Sequence, residues 1–147
     1  MSALREVSEM SASDDDLRAR NQALLERFFV AVGAGDVTGM AALCSEDLVA
    51  EMPYSDPPKR FESLADYKSF VEPAFELLKF TLSLERVHGC TEPSMLIAEY
   101  TSDGIAVPTG KPYRNVYIGI WRFRAGRICG IREFFNPALT AEALTPD

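Results

Sequence analysis

The closing third of the chain constrains its fold most. Two long apolar-rich runs, about Tyr113 to Phe123 and Arg127 to Phe135, meet at Ala125-Gly126. Glycine can take the positive φ that a tight hairpin needs, so the segment reads as two antiparallel strands. Alternate strand residues share a face, which puts Glu133 in phase with Cys129, Ile131 and Phe135. An acid on an apolar face is costly unless it is paired or neutral, so chemistry is sought here first.

Both faces of the first strand are apolar. Val116, Ile118 and Ile120 lie opposite Tyr113, Tyr117, Trp121 and Phe123. Helices can cover one face; the other needs a second cover, and a homodimer through the sheet face is the economical expectation.

The upstream pattern supplies the helices. Residues Met1 to about Ser13 are small, polar and acidic and read as a loose tail, ahead of one domain over residues 14–147. Asp14-Asp15-Asp16 is expected to start a helix, Leu17 to about Val32, with apolar residues at spacings of three, four and seven. A short second helix carries Val37, Met40 and Leu43. Glu46 to Glu51 reads as a short strand, and Ser55 to Arg60 as a loop. A third helix follows, Leu64 to about Leu78, with a kink or break expected at Pro73. Then come strands at Phe80 to Val87 and Met95 to Thr101, a turn at Ser102-Asp103-Gly104, the hairpin, and a last short helix at Ala138 to Leu144. Helices followed by a run of strands predict an α+β domain: a curved antiparallel sheet with helices against one face.

Charge and composition narrow the function. A net charge of -7 argues against nucleic acid and anionic membrane as partners. No apolar run is long enough to span a bilayer and no signal pattern opens the chain, which leaves a cytosolic location as the expectation. Cys44, Cys90 and Cys129 are widely spaced, and His88 is the single histidine, so no zinc constellation is recognisable. Metal-independent chemistry, or none, is expected.

Glu51-Met52-Pro53-Tyr54, Gly110-Lys111-Pro112-Tyr113-x-Asn115-x-Tyr117, Gly126-Arg127-Ile128 and Arg132-Glu133-Phe134-Phe135-Asn136-Pro137, in this element order, resemble the SnoaL-like, ketosteroid-isomerase-like proteins. These belong to the superfamily named for nuclear transport factor two. The closing motif is most similar to the PhzA/PhzB branch. The resemblance covers about Leu17 to Leu144. It implies a cone-shaped α+β barrel, with a curved mixed or antiparallel sheet wrapped on three N-terminal helices around an apolar pocket. It also implies a dimer, and work without metal or organic cofactor. In the PhzA/PhzB type the glutamate of the closing motif is a pocket acid, and it lands on Glu133. The histidine of that type aligns with Ser83, so the acid carries over without its partner. The steroid-isomerase aspartate falls near Glu51 and Tyr54.

Beside Glu133, Glu99 lies in a strand in phase with Met95 and Ile97, either as a second pocket acid or as a cross-strand partner of an arginine. Asn115 and Tyr117 share a face and can stabilise an oxygen that gains charge, or simply pack in the sheet. Tyr54 is a pocket-rim or a turn residue. Phe29, Trp121 and Phe135 are wall candidates, the first two also core candidates. The reading is a cofactor-independent enzyme of isomerase, dehydratase or polyketide-cyclase type. It would move a proton on an apolar, carbonyl-bearing or polycyclic small molecule. The alternative is a non-catalytic ligand-binding or dimeric assembly module.

Overall fold

The structure is a computed structural model that describes residues 2–147, with side chains from residue 13 onward. Helices α1 (Ser2–Gly33) and α2 (Val37–Ala41) precede strands β1 (Cys44–Met52) and β2 (Lys59–Phe61). Helix α3 (Leu64–Leu77) leads into β3 (Leu78–Gly89), β4 (Met95–Ala106), β5 (Pro112–Arg124) and β6 (Arg127–Phe135), and α4 (Pro137–Leu144) closes the chain. The α+β class is therefore as expected. Met1 lies outside the described residues, and Asp14-Asp15-Asp16, expected to start the first helix, lies inside α1.

The six strands form one mixed sheet in the order β2-β1-β6-β5-β4-β3. All neighbours are antiparallel except β1 and β6, which run parallel. The edge strands β2 and β3 do not pair with each other, so the sheet is open and not a closed barrel. Register shifts interrupt three ladders, at Cys44/Val49, Leu84/Arg86 and Arg122/Phe123. Such bulges bend and twist a sheet. The shift on β6 leaves Cys129 unpaired, so Ile128 and Ile131 both reach the core while Cys129 falls out of the expected alternation.

The hairpin forms where the turn signal placed it, with positive φ at both Ala125 and Gly126. Other signals were overridden. Ser102-Asp103-Gly104 is not a turn, because β4 runs on to Ala106. Gly104 is required there for close approach: a Cβ would overlap the Lys79 carbonyl and Phe80 on β3. Pro73 does not break α3. The carbonyl of Ser69 that it leaves without a partner is on an exposed stretch of the helix, where water can reach it. Lys59 and Arg60, expected as the end of a loop, instead join Phe61 in the edge strand β2, which pairs with Ala50–Met52.

Leu25, Phe28, Phe29 and Val32 of α1 pack on the inner face of the sheet, against Leu96, Tyr100, Trp121, Phe123 and Ile128. Phe28 and Phe29 both meet Trp121 edge-on, at 5.1 and 5.9 Å between ring centres. No helix among the described residues is long and apolar enough to cross a membrane.

Candidate functional site

A cavity of about 550 Å³ opens between the inner face of the sheet, α3 and α4. Helix α3 contributes Tyr67, Phe70 and Phe75; the sheet contributes Phe80, Tyr113, Tyr117, Glu133 and Phe135; α4 contributes Thr140 and Leu144. The wall is mostly apolar because inward positions of α3 and the sheet are aromatic. Its charged residues are Glu133, Lys59 and Asp56. Asp56 is exposed, and the Lys59 ammonium sits 5.8 Å from the centre of the Phe70 ring.

Glu133 reaches this cavity because β6 alternates Ile131, Glu133 and Phe135 inward and Arg132 and Phe134 outward. Its carboxylate accepts a hydrogen bond from the Tyr100 hydroxyl on β4. Part of the residue borders the cavity, so it is half-buried overall, yet protein surrounds the carboxyl. Burial raises its pKa above the usual carboxylate value, and the hydrogen bond from Tyr100 partly offsets this. The Tyr100 phenol is itself held well above its ordinary value, by burial first and then by the Glu133 charge. Tyr67 from α3 is raised by burial first and then by the same charge, and it lines the same cavity as Glu133. A glutamate whose proton affinity is raised in this way is suited to take or give a proton.

Four tyrosines lie in or beside the cavity, and their hydroxyls differ in availability. Tyr100 is committed to Glu133. The Asn115 amide donates to Tyr113 (3.1 Å), the Tyr113 and Tyr117 hydroxyls bond each other (2.8 Å), and Tyr117 donates to Ser102 Oγ (3.1 Å). The Tyr117 ring also stacks on Tyr100, 5.1 Å away and 6° from parallel. Of these four, the Tyr67 hydroxyl alone has no hydrogen-bond partner among the described residues.

The structure brings Glu133, Tyr117 and Phe135 together at the cavity and places the other candidates elsewhere. Asn115 is 2% exposed and a structural clamp, not an oxygen-stabilising group. Its amide also donates to the Asn136 carbonyl (2.9 Å), and its Oδ1 accepts from the Asn136 and Val116 amides. This ties β5 to the β6–α4 connection. Glu99 is on the outer face, hydrogen-bonded to His88 at 2.7 Å, because the phase it shares with Met95 and Ile97 is the face away from the helices. Ser83 is exposed on β3, again on the outer face. Tyr54 is 61% exposed and packs edge-on against Phe134 outside the cavity. Phe29 and Trp121 are core residues. Sequence reasoning missed Tyr100, Tyr67 and Tyr113. The inward alternation of β4 could have found Tyr100; nothing local distinguishes Tyr67 from a packing residue of an amphipathic helix.

A sequence model of the SnoaL-like domain matches residues 25–131. The chain is 33% identical over 124 residues to an uncharacterised Bacillus subtilis protein, YesE, covering 81% of this chain and 83% of that one. It is 30% identical over 112 residues to an uncharacterised PhzA/B-like protein of Pseudomonas aeruginosa, covering 75% and 79%. A Bacillus subtilis crystal structure labelled a candidate isomerase superposes with a TM-score of 0.81 at 27% identity, covering 87% of this chain and 96% of that one.

Proposed function

The chain belongs to the SnoaL-like domain family, and we propose that it is an enzyme that moves a proton on an apolar small molecule bearing a carbonyl oxygen, without a metal or organic cofactor. Glu133 is the acid/base. One observation carries this reading: a carboxyl sheltered by burial, oriented by Tyr100, at the wall of an otherwise apolar cavity of about 550 Å³. Such a cavity fits a small polycyclic or aromatic body.

The step that fits is removal of a proton from carbon beside a carbonyl and its return at another atom. Glu133 takes the proton, and the Tyr67 hydroxyl, the uncommitted donor at the wall, faces the oxygen that gains charge. Isomerisation, dehydration and aldol-type cyclisation share this step. The isomerase label of the superposable Bacillus subtilis structure is in keeping with it. The test is Glu133→Gln, which keeps the shape and the hydrogen bond from Tyr100. Turnover of a matched enone or β-keto substrate should be lost while binding persists. Equal turnover by wild type and variant overturns the assignment, and binding without turnover by the wild type would point to a ligand-binding module.

We also propose a homodimer through the outer sheet face. Val116 and Ile118 are 65% and 43% exposed there, beside half-buried Met95, Ile97 and Ile120. Sedimentation should give a dimer that Ile118→Asp dissociates; a monomeric wild type refutes it.

A further inference from the structure

Trp121 is 1% exposed, and its indole Nε1 is the one buried side-chain nitrogen or oxygen among the described residues without a hydrogen-bond partner. A buried donor left unpaired costs on the order of 1–3 kcal/mol, so its position calls for a reason. That position is specific. On the inner face, Gly119 of β5 stands opposite Glu133 of β6 on one side and Ala98 of β4 on the other. Where Gly119 has no side chain, Trp121, two residues along the same strand, and Tyr100, the diagonal neighbour on β4, lean in. A Cβ at Gly119 would lie 2.5 Å from Trp121 Nε1 and 2.8 Å from the Tyr100 hydroxyl oxygen. The indole N–H and the phenol therefore share one gap, and the phenol is the group that donates to Glu133.

We infer that the Trp121 indole N–H, unpaired in this geometry, closes onto the Tyr100 hydroxyl when Glu133 is ionised, a donor relay that positions the carboxylate, with Gly119 as the clearance it requires. When Tyr100 donates its proton to an ionised Glu133, its oxygen becomes a better acceptor, and the only unpaired donor beside it is Trp121 N–H. Hydrogen bonds in such a chain polarise one another. The relay favours the ionised carboxylate and opposes the burial that disfavours it. The other groups facing Glu133 are Tyr67 from α3 and Tyr117 from β5; Lys59 and Asp56 are the other charged residues at the cavity wall. Trp121 and Tyr100 are positioning residues, since they act through Glu133. The inference rests on the proposed function only for why that glutamate matters, and its test needs no substrate.

Trp121 is the chain's single tryptophan, so the full-length protein gives one indole N–H resonance. Its nitrogen and proton shifts are followed against pH together with the Glu133 side-chain carboxyl carbon. The indole signal should move with the midpoint of Glu133 in the wild type, and the response should vanish in Glu133→Gln and Tyr100→Phe. Replacing Trp121 by benzothienyl-alanine keeps the ring shape and removes only the N–H; the Glu133 midpoint should then shift upward. An indole signal that stays fixed while Glu133 titrates overturns the relay, as does an unchanged Glu133 midpoint in the folded benzothienyl variant. Loss of the relay would leave the acid/base role of Glu133 standing, because turnover by Glu133→Gln tests that separately.

Discussion

The Tyr100 hydroxyl on β4 donates to the Glu133 carboxylate on β6 across the whole width of β5, passing over Gly119, the β5 residue that pairs with Glu133. Two side chains two strands apart would not ordinarily touch on an inner sheet face. They do here because the position between them is empty of side chain.

The raised pKa of Glu133 makes a prediction about stability. A carboxyl whose folded pKa exceeds its unfolded value binds more protons in the folded state, so its contribution is fully present at low pH. It is lost as pH rises from the ordinary carboxylate value through the folded one. Relative to Glu133→Gln, which keeps every other titrating group, wild type should lose about 1.4 kcal/mol for each unit of separation across that window. Urea denaturation at a series of pH values checks this, and parallel profiles for the two proteins would contradict it.

Gly119→Ala should destabilise the fold by about 1–3 kcal/mol, since the added methyl has to displace buried Trp121 and Tyr100. Gly130→Ala should cost less than Gly119→Ala, because its Cβ would meet Arg122 Cβ at 3.1 Å and the rest of that side chain at 3.3 Å or more, a tight contact but not an overlap. The contrast between the two midpoints of denaturation is the measurement, and equal losses would speak against the clearance role of Gly119.

Asn115→Ala removes the clamp between β5 and the start of α4 and leaves several buried polar groups unpaired. Stability should fall by about 2 kcal/mol or more. The Glu133 carboxyl midpoint should hardly move in the folded variant, which separates a structural role from a catalytic one.

Tyr67→Phe should lower kcat by about 100-fold while leaving the folded structure intact, if its hydroxyl meets the oxygen on which charge develops. Glu99→Gln, on the outer face with His88, should leave kcat unchanged and move stability by no more than about 1 kcal/mol. The same turnover assay reads both variants. An unaffected Tyr67→Phe, or a Glu99→Gln that loses activity, would redraw the site.

Much of the architecture was legible in the residues. The Ala125-Gly126 turn, the inward phase of Glu133 with Ile131 and Phe135, and the α1 stripe through Leu25, Phe28, Phe29 and Val32 each follow from a local period or a backbone preference. Where local signals misled, tertiary contacts had overridden them. Gly104 looked like a turn and is a point of close approach between β3 and β4. Glu99 was placed correctly in phase, but a period of two cannot say which of two apolar-looking faces the helices will cover.

By itself, then, the sequence determined which residues alternate, where the hairpin turns, and that an acid stands among apolar neighbours, because these depend on bonds and contacts between residues close in the chain. Only the tertiary structure decided what surrounds that acid. Tyr100, Gly119, Trp121 and Tyr67 come to Glu133 from β4, β5 and α3 through strand register and helix packing, and registers between distant segments are set by the packing of the whole core. The same packing turned Asn115 from a candidate ligand for an oxygen into the clamp that holds the cavity wall in place.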